Sequence, residues 1–221
     1  SPTISGQVTG TGTLEFYAGG NSTLTLSNVT ANANNWAGGM ILDNTGNNNS
    51  VLKLGADEQI PSGAGAGDVA LIQGGTGYSR LDLNGHNETI NGLNSSNGGN
   101  PLNQVGNFGL GMATLPLGAN DATASFDGVI GVASGNNLNL VKIGAGTQTL
   151  SGVNTYSGTT TINGGALAVV GGSIASPQIS INGAALDITN GTVAAGSIVA
   201  GGTSVINMEN STLIVTNTAG T

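Results

Sequence analysis

Nine residues that recur at an interval of nineteen constrain this chain most. TINGGALAV (Thr161 to Val169) lies over SINGAALDI (Ser180 to Ile188), setting Ile162 over Ile181, Leu167 over Leu186 and Val169 over Ile188. A unit this short cannot bury its apolar face alone, so copies must stack. A period of about twenty residues fits one turn of a β-solenoid, with turns ~4.8 Å apart along the strand-to-strand hydrogen bonds. VINMENSTLIV (Val205 to Val215) reads as a third, looser copy, which gives Asn163, Asn182 and Asn207 one equivalent turn-entry position. Asn and Gly tolerate the left-handed backbone that such corners need.

Period-two alternation recurs at Leu14/Phe16, Leu24/Leu26, Leu52/Leu54, Leu81/Leu83, Leu115/Leu117, Leu138/Leu140 and Leu213/Val215, each pair bounded by Gly, Asn or Ser. These predict half-buried strands. No window keeps apolar residues at helical spacing without Gly, Asn or β-branched interruptions, which predicts almost no α-helix. A sandwich or barrel also uses short, evenly spaced strands, but neither explains why successive copies repeat the same apolar type at the same position. Residues 1–221 are therefore read as a single all-β solenoid or a segment of a longer one, of about ten coils and roughly 50 Å on that spacing. Ala31 to Trp36, Gly46 to Ser50 and Asn94 to Gly111, rich in Asn and Gly, are expected to project as loops.

Only 6% of the residues are charged and 3% aromatic, while 40 are glycine. Such a chain has no material for a thick core, and its Ala, Val, Ile and Leu suit a narrow interior filled in layers. Low-complexity disorder would share the Gly, Ser and Asn content but not the regular β-branched and leucine pairs. Three cations against eleven carboxylates give a net charge of -8, which cannot neutralise a run of phosphates, so nucleic acid and anionic membrane surfaces are poor partners. No apolar run is long enough to cross a bilayer. Absence of cysteine excludes disulfides and thiolate metal sites without choosing a compartment. The start at Ser1, without Met, is read as that of a processed or excised piece.

The stretch LVKIGAGTQTLSGVNTYSGTTTINGGALAVV (Leu140 to Val170) carries Lys142, Gly144, Gly146, Leu150, Ser151, Gly152, Asn154, Tyr156, Gly158, Thr160, Ile162, Gly165 and Leu167 in an order that resembles the autotransporter-associated β-strand repeat, also called the passenger-associated transport repeat. Gln148 departs from that pattern, standing where the family has leucine, which questions the inward register of its strand. Leu52 to Gly63, Leu81 to Leu93 and Ser125 to Gly131 look like spacers of long proteins in the same family. The resemblance implies a right-handed parallel β-helix, exported and displayed outside a Gram-negative-type cell. Without the family's signal peptide and membrane barrel, the chain is read as a passenger or a part of one.

Several residue groups suggest chemistry. Polysaccharide-cleaving β-helices cluster carboxylates on neighbouring turns, whereas Asp57 and Glu58 are adjacent, would point to opposite faces of a strand, and near Pro61 read as turn residues. Asp82, Asn84, His86 and Glu88 would share a face and offer metal ligands if the run stayed extended. Asn84-Gly85 is a turn signal that breaks it, and Leu81 and Leu83, facing in, would put Asp82 on a solvated outer face. Gly63 to Leu71, GAGAGDVAL, is one imperfect copy of a calcium-binding nonapeptide. Trp36, Phe16, Tyr17, Tyr78, Phe108 and Tyr156 could stack on sugars or pack at rung ends and under loops, and Tyr156, a position of the repeat pattern, is assigned to packing. Asn21 and Asn87 open sequons that an Asn- and Thr-rich chain produces by chance. Lys53, Arg80 and Lys142 read as too dispersed for a basic patch. No catalytic, cofactor-binding or metal site is assigned.

Gln7 to Phe16 and Ser204 to Val215 read as ordinary strands, so both ends are expected to offer an open ladder to further solenoid or to another copy of the chain. The functional expectation is an extracellular, non-catalytic structural or adhesive rod, without a cofactor, with copies of itself, adjoining coils or surface glycans as partners. The alternative is a polysaccharide-acting enzyme or carbohydrate-binding module with a groove lined by Trp36.

Overall fold

Ile162 lies in register with Ile181, Leu167 with Leu186 and Val169 with Ile188, so the nineteen-residue offset is one turn of a solenoid. The computed structural model describes residues 1–46, 48–96, 102–132 and 136–217. Every strand pair among them is parallel, and no closed barrel forms.

Each turn visits three faces. The first stacks Thr3–Ile4, Ser22–Leu26, Ser50–Leu54, Ser79–Asp82, Asn103–Gly106 and Val129–Ile130. It continues through Val153–Asn154, where the Thr155 N–H donates to Ile130 O at 2.9 Å, to the first halves of Ser173–Asn182 and Thr192–Gly201 and then Thr212–Val215. That makes ten rungs among the described residues. The second face runs from Thr9–Gly10 and Asn35–Trp36 to Ala113–Leu117, Leu138–Lys142, Thr160–Ile162 and the second halves of the two long strands. The third carries Leu14–Tyr17, Met40–Asn44, Val69–Gln73 and Leu93–Ser96, then Ala124–Phe126, Thr147–Leu150, Ala166–Val170, Ala185–Thr189 and Val205–Glu209. The only helix among the described residues is the 3-10 turn Ala119–Asp121.

Alternate residues point inward and form columns such as Leu52–Leu81–Val105–Ile130 and Leu42–Leu71, all fully buried. Burying one such side chain stabilises the fold by about 1.5–3 kcal/mol, so the column supplies what a thick core would in a globular domain. Tyr156 is one of the packing residues predicted: its ring is buried and its hydroxyl shares a hydrogen bond of 2.8 Å with Thr160 Oγ1.

Coil length is not uniform. Beyond Leu140 the offset is nineteen or twenty residues, whereas Ser50 stands over Ser22 and Ser79 over Ser50, at twenty-eight and twenty-nine. The extra residues lie in corner segments such as Gly74–Gly77, outside the strands, so stacking is kept while length varies. The expected loops are correspondingly smaller. Asn35–Trp36 is a strand and Trp36 is 2% exposed, so only the earlier part of Ala31 to Trp36 is a loop. Gly46 to Ser50 ends in the first residue of a strand, and its Asn47 lies outside the described residues. Asn94 to Gly111 contains Asn103–Gly106 and most of Leu93–Ser96, with 97–101 outside the described residues. The equivalence of the three asparagines also fails: Asn182 pairs with Gly201, and Asn207 pairs with Asp187 on a different face.

Buried amides tie three coils together at once. Asn34 accepts from the Val8 N–H at 2.8 Å and donates to Gln59 O at 2.8 Å. Asn154, a position of the repeat pattern, accepts from Ile130 N–H at 3.0 Å and donates to Ser173 O at 3.1 Å. These side chains stand in for missing ladder bonds, which a buried backbone requires. Gln148 does the same, and its strand keeps the inward register that its presence put in question: it is buried between Ala124 and Leu167 in the neighbouring coils.

Candidate functional site

The quartet Asp82, Asn84, His86 and Glu88 is not assembled into a site. Asn84 adopts φ 50° and turns the chain, as its Asn-Gly signal predicts. Asp82 is 6% exposed rather than solvated, because its Oδ1 accepts the N–H groups of Asn84 at 2.9 Å and Phe108 at 3.1 Å, which draws it under the corner. His86 Nδ1 lies 3.1 Å from Asp57 Oδ1 on the coil before. Glu88 is fully buried, its two oxygens accepting Gln59 N–H at 2.7 Å and Ile60 N–H at 2.8 Å. Burial pushes its carboxyl well above the usual range; the two N–H donors pull the other way, and Glu58 and Asp57 push it further up. This carboxyl is a ladder acceptor placed where strands are missing.

Asp57 and Glu58 are turn residues, Glu58 at φ 51°. Glu58 accepts from Thr89 N–H at 3.1 Å and Thr89 Oγ1 at 3.0 Å, and Asp57 from Asn87 N–H at 3.1 Å. Asp68 of the GAGAGDVAL run accepts Gly92 N–H at 2.8 Å and Asn94 Nδ2 at 2.9 Å. Asn21 and Asn87, the sequon residues, accept from Asn49 N–H and Thr114 N–H, each at 2.8 Å. Polar side chains on these corners are thus engaged with the adjoining coil. No group of three His, Asp or Glu side chains among the described residues is arranged to hold a metal.

Trp36 borders a cavity of ≈ 250 Å³ with Asn32, Pro61 and Ala66, but its indole N–H donates to Gly39 O at 2.7 Å and its ring is buried. The ring therefore offers no platform for a sugar.

The cations are distributed unlike the sequence expectation. Lys142 is buried, its ammonium donating to the carbonyls of Ile143 at 2.6 Å, Gly144 at 3.0 Å and Gly164 at 3.3 Å. Burial pushes its pKa down, with Asp121 acting the other way. Lys53 and Arg80 stand on neighbouring rungs of the first face, where both line one outward groove of ≈ 470 Å³. Arg80 lies over the Tyr78 ring at 4.0 Å and the Phe108 ring at 4.3 Å, held by Nε and Nη2 bonds of 3.0 and 2.6 Å to Gln104 Oε1. Burial lowers its pKa, opposed by Tyr78 and Asp82, and arginine remains a cation at neutral pH. Sequence reasoning missed this site because its members come from successive coils of unequal length. The signal available was that outward positions of adjacent strands stack.

A ladder of parallel strands in three-sided turns, closed by inward apolar columns, defines a parallel β-solenoid built from repeats. Residues 140–169 match the family model of the passenger-associated transport repeat, which the order of residues from Leu140 resembles. The chain is 36% identical over 181 residues, 79% of its length, to the adhesin BmaC autotransporter of Brucella suis biovar 1 (strain 1330), and spans 4% of that protein's length. No solved structure matches.

Proposed function

We propose that the chain is a section of an extracellular, non-catalytic β-solenoid that serves as a structural and adhesive rod on a Gram-negative-type cell. The observation that carries the reading is a match to the passenger-associated transport repeat whose strands stack on the coils to either side within ten rungs, in a chain similar along most of its length to part of an autotransporter adhesin. A solenoid contacts only its neighbours in sequence, so it grows in length without losing stability and presents long uncharged faces. The carboxylates at its corners bond to adjoining coils, which supports a structural role for them rather than a catalytic one.

End-to-end extension belongs to the same proposal. In the last described coil Val205, Ile206, Met208, Ile214 and Val215 are 36–47% exposed, although their counterparts one turn earlier include buried Leu186 and Ile188. A further coil stacked on this rung, from the same chain or another copy, would cover them.

Beads coated with the purified chain test adhesion directly. Retention on animal-cell monolayers above that of beads carrying an unrelated solenoid is expected, and equal retention would refute the adhesive role.

A further inference from the structure

We propose that the groove containing Lys53 and Arg80 binds the carboxylate of an acidic saccharide. The inference deepens the adhesive reading and depends on it only for where the ligand is met. In a chain of net charge -8 with three Lys and Arg residues, one cation is locked inside and the other two line the same concavity. The Lys53 ammonium makes no hydrogen bond or ion pair among the described residues, so it is open to a ligand. Arg80 uses Nε and Nη2 on Gln104, which leaves Nη1 donors free and fixes the guanidinium plane between two rings. A pre-oriented guanidinium and an unpaired ammonium in one groove suit a carboxylate, since one supplies planar geometry and the other a point charge.

The one carboxylate in the lining, Asp82, is nearly buried and accepts two backbone N–H groups, so the exposed charge of the groove is positive. Tyr78 and Phe108 give half-buried ring edges, and Thr23 and Thr25 give hydroxyls on the same wall, a lining matched to the mixed apolar and hydroxyl faces of a sugar. The groove lies on the outer face of an internally paired sheet, where Thr23, Val51 and Arg80 are each in register with a neighbour. Its floor has no free ladder for a peptide strand to join, which favours a saccharide over an acidic peptide.

Titration calorimetry of the purified chain at low salt would use three probes: a hexamer of galacturonic acid, its methyl ester, and a hexamer of glutamate. The acid saccharide is expected to bind, to weaken as salt rises, and to lose at least about tenfold in affinity on esterification. Lys53→Gln and Arg80→Gln, checked for folding by circular dichroism, should each lose about fivefold or more, on the scale of one charge-assisted hydrogen bond. Lys53 is outward and unpaired, so its variant keeps the test valid if Arg80→Gln disturbs the Phe108 corner. Equal binding of acid and ester, equal binding of the glutamate hexamer, or unchanged affinity in Lys53→Gln would overturn the proposal. Bead adhesion without saccharide binding would overturn the groove alone, whereas saccharide binding without bead adhesion would overturn the adhesive reading alone.

Discussion

Gln148 holds Leu93 across fifty-five residues of sequence: its Nε2 donates to Leu93 O at 2.9 Å and its Oε1 accepts from Leu93 N–H at 3.1 Å. Between them lies the junction of the third face, where Leu93–Ser96 meets Ala124–Phe126. The bonds seen there come from side chains: Ser125 N–H to Asn94 Oδ1 at 3.2 Å, Asp127 N–H to Ser95 Oγ at 2.9 Å, and the Gln148 amide reaching past small Ala124. A leucine at this position would fill the column but leave both polar groups of Leu93 bare.

Gln148→Leu therefore destabilises the chain even though it restores the repeat pattern. A loss of about 2 kcal/mol is expected from two buried backbone groups left unsatisfied. Urea unfolding followed by circular dichroism measures it, and an unchanged or raised midpoint would remove the seam from the account.

Glu88 makes stability depend on pH. Its folded pKa is raised, so the unfolded chain releases this proton first as pH climbs. The contribution is present below the ordinary carboxylate range and is lost upward from there toward the folded value. Thermal midpoints of the wild type should fall more steeply from pH 4 to pH 7 than those of Glu88→Gln. The variant itself should be less stable at pH 4 by about 1–3 kcal/mol, because its amide NH₂ must face the N–H of Gln59 or Ile60.

Lys142 caps three carbonyls at a buried corner, so Lys142→Met should cost about 2 kcal/mol despite removing a buried charge. Chemical denaturation compared with Lys53→Met, whose side chain is half-exposed, separates this capping from a general effect of lost charge.

Gly152 is held by close approach, since a Cβ there would fall on Gly128 O of the previous coil. Gly152→Ala must push two rungs apart, and a loss of about 3 kcal/mol is expected in the same assay. A neutral result would mean that the coils are not in contact at this corner.

Columns, turns and the family repeat were legible from the chain because like-over-like stacking writes itself into sequence, as Leu167 over Leu186 shows. The Asn-Gly turn at Asn84 was legible for the same local reason. The burial of Asp82 was not: Leu81 and Leu83 face inward as read, but the Phe108 N–H that holds the Asp82 carboxylate comes from the next coil. Nor was the pairing of Lys53 with Arg80 in one groove, since twenty-seven residues and an irregular corner separate them. Asn34, in a stretch expected to be a loop, and Asn154, read only as a position of the repeat pattern, are buried bridges whose roles depend on a missing ladder bond three strands away in the winding. Local chemistry is readable where it acts locally. Partners from other coils become readable only when coil lengths are known.

The central claim is coil-over-coil register, and the absence of native cysteine allows it to be tested by cross-linking. Thr161 and Ser180 are paired on adjacent rungs and outward-facing, with Val199 one rung further. Neighbouring rungs ~4.8 Å apart fall within disulfide reach, while two rungs do not. Mild oxidation of Thr161→Cys/Ser180→Cys should give a disulfide-linked chain that Thr161→Cys/Val199→Cys fails to give. Equal cross-linking in both pairs, or none in the first, would contradict the stacked solenoid.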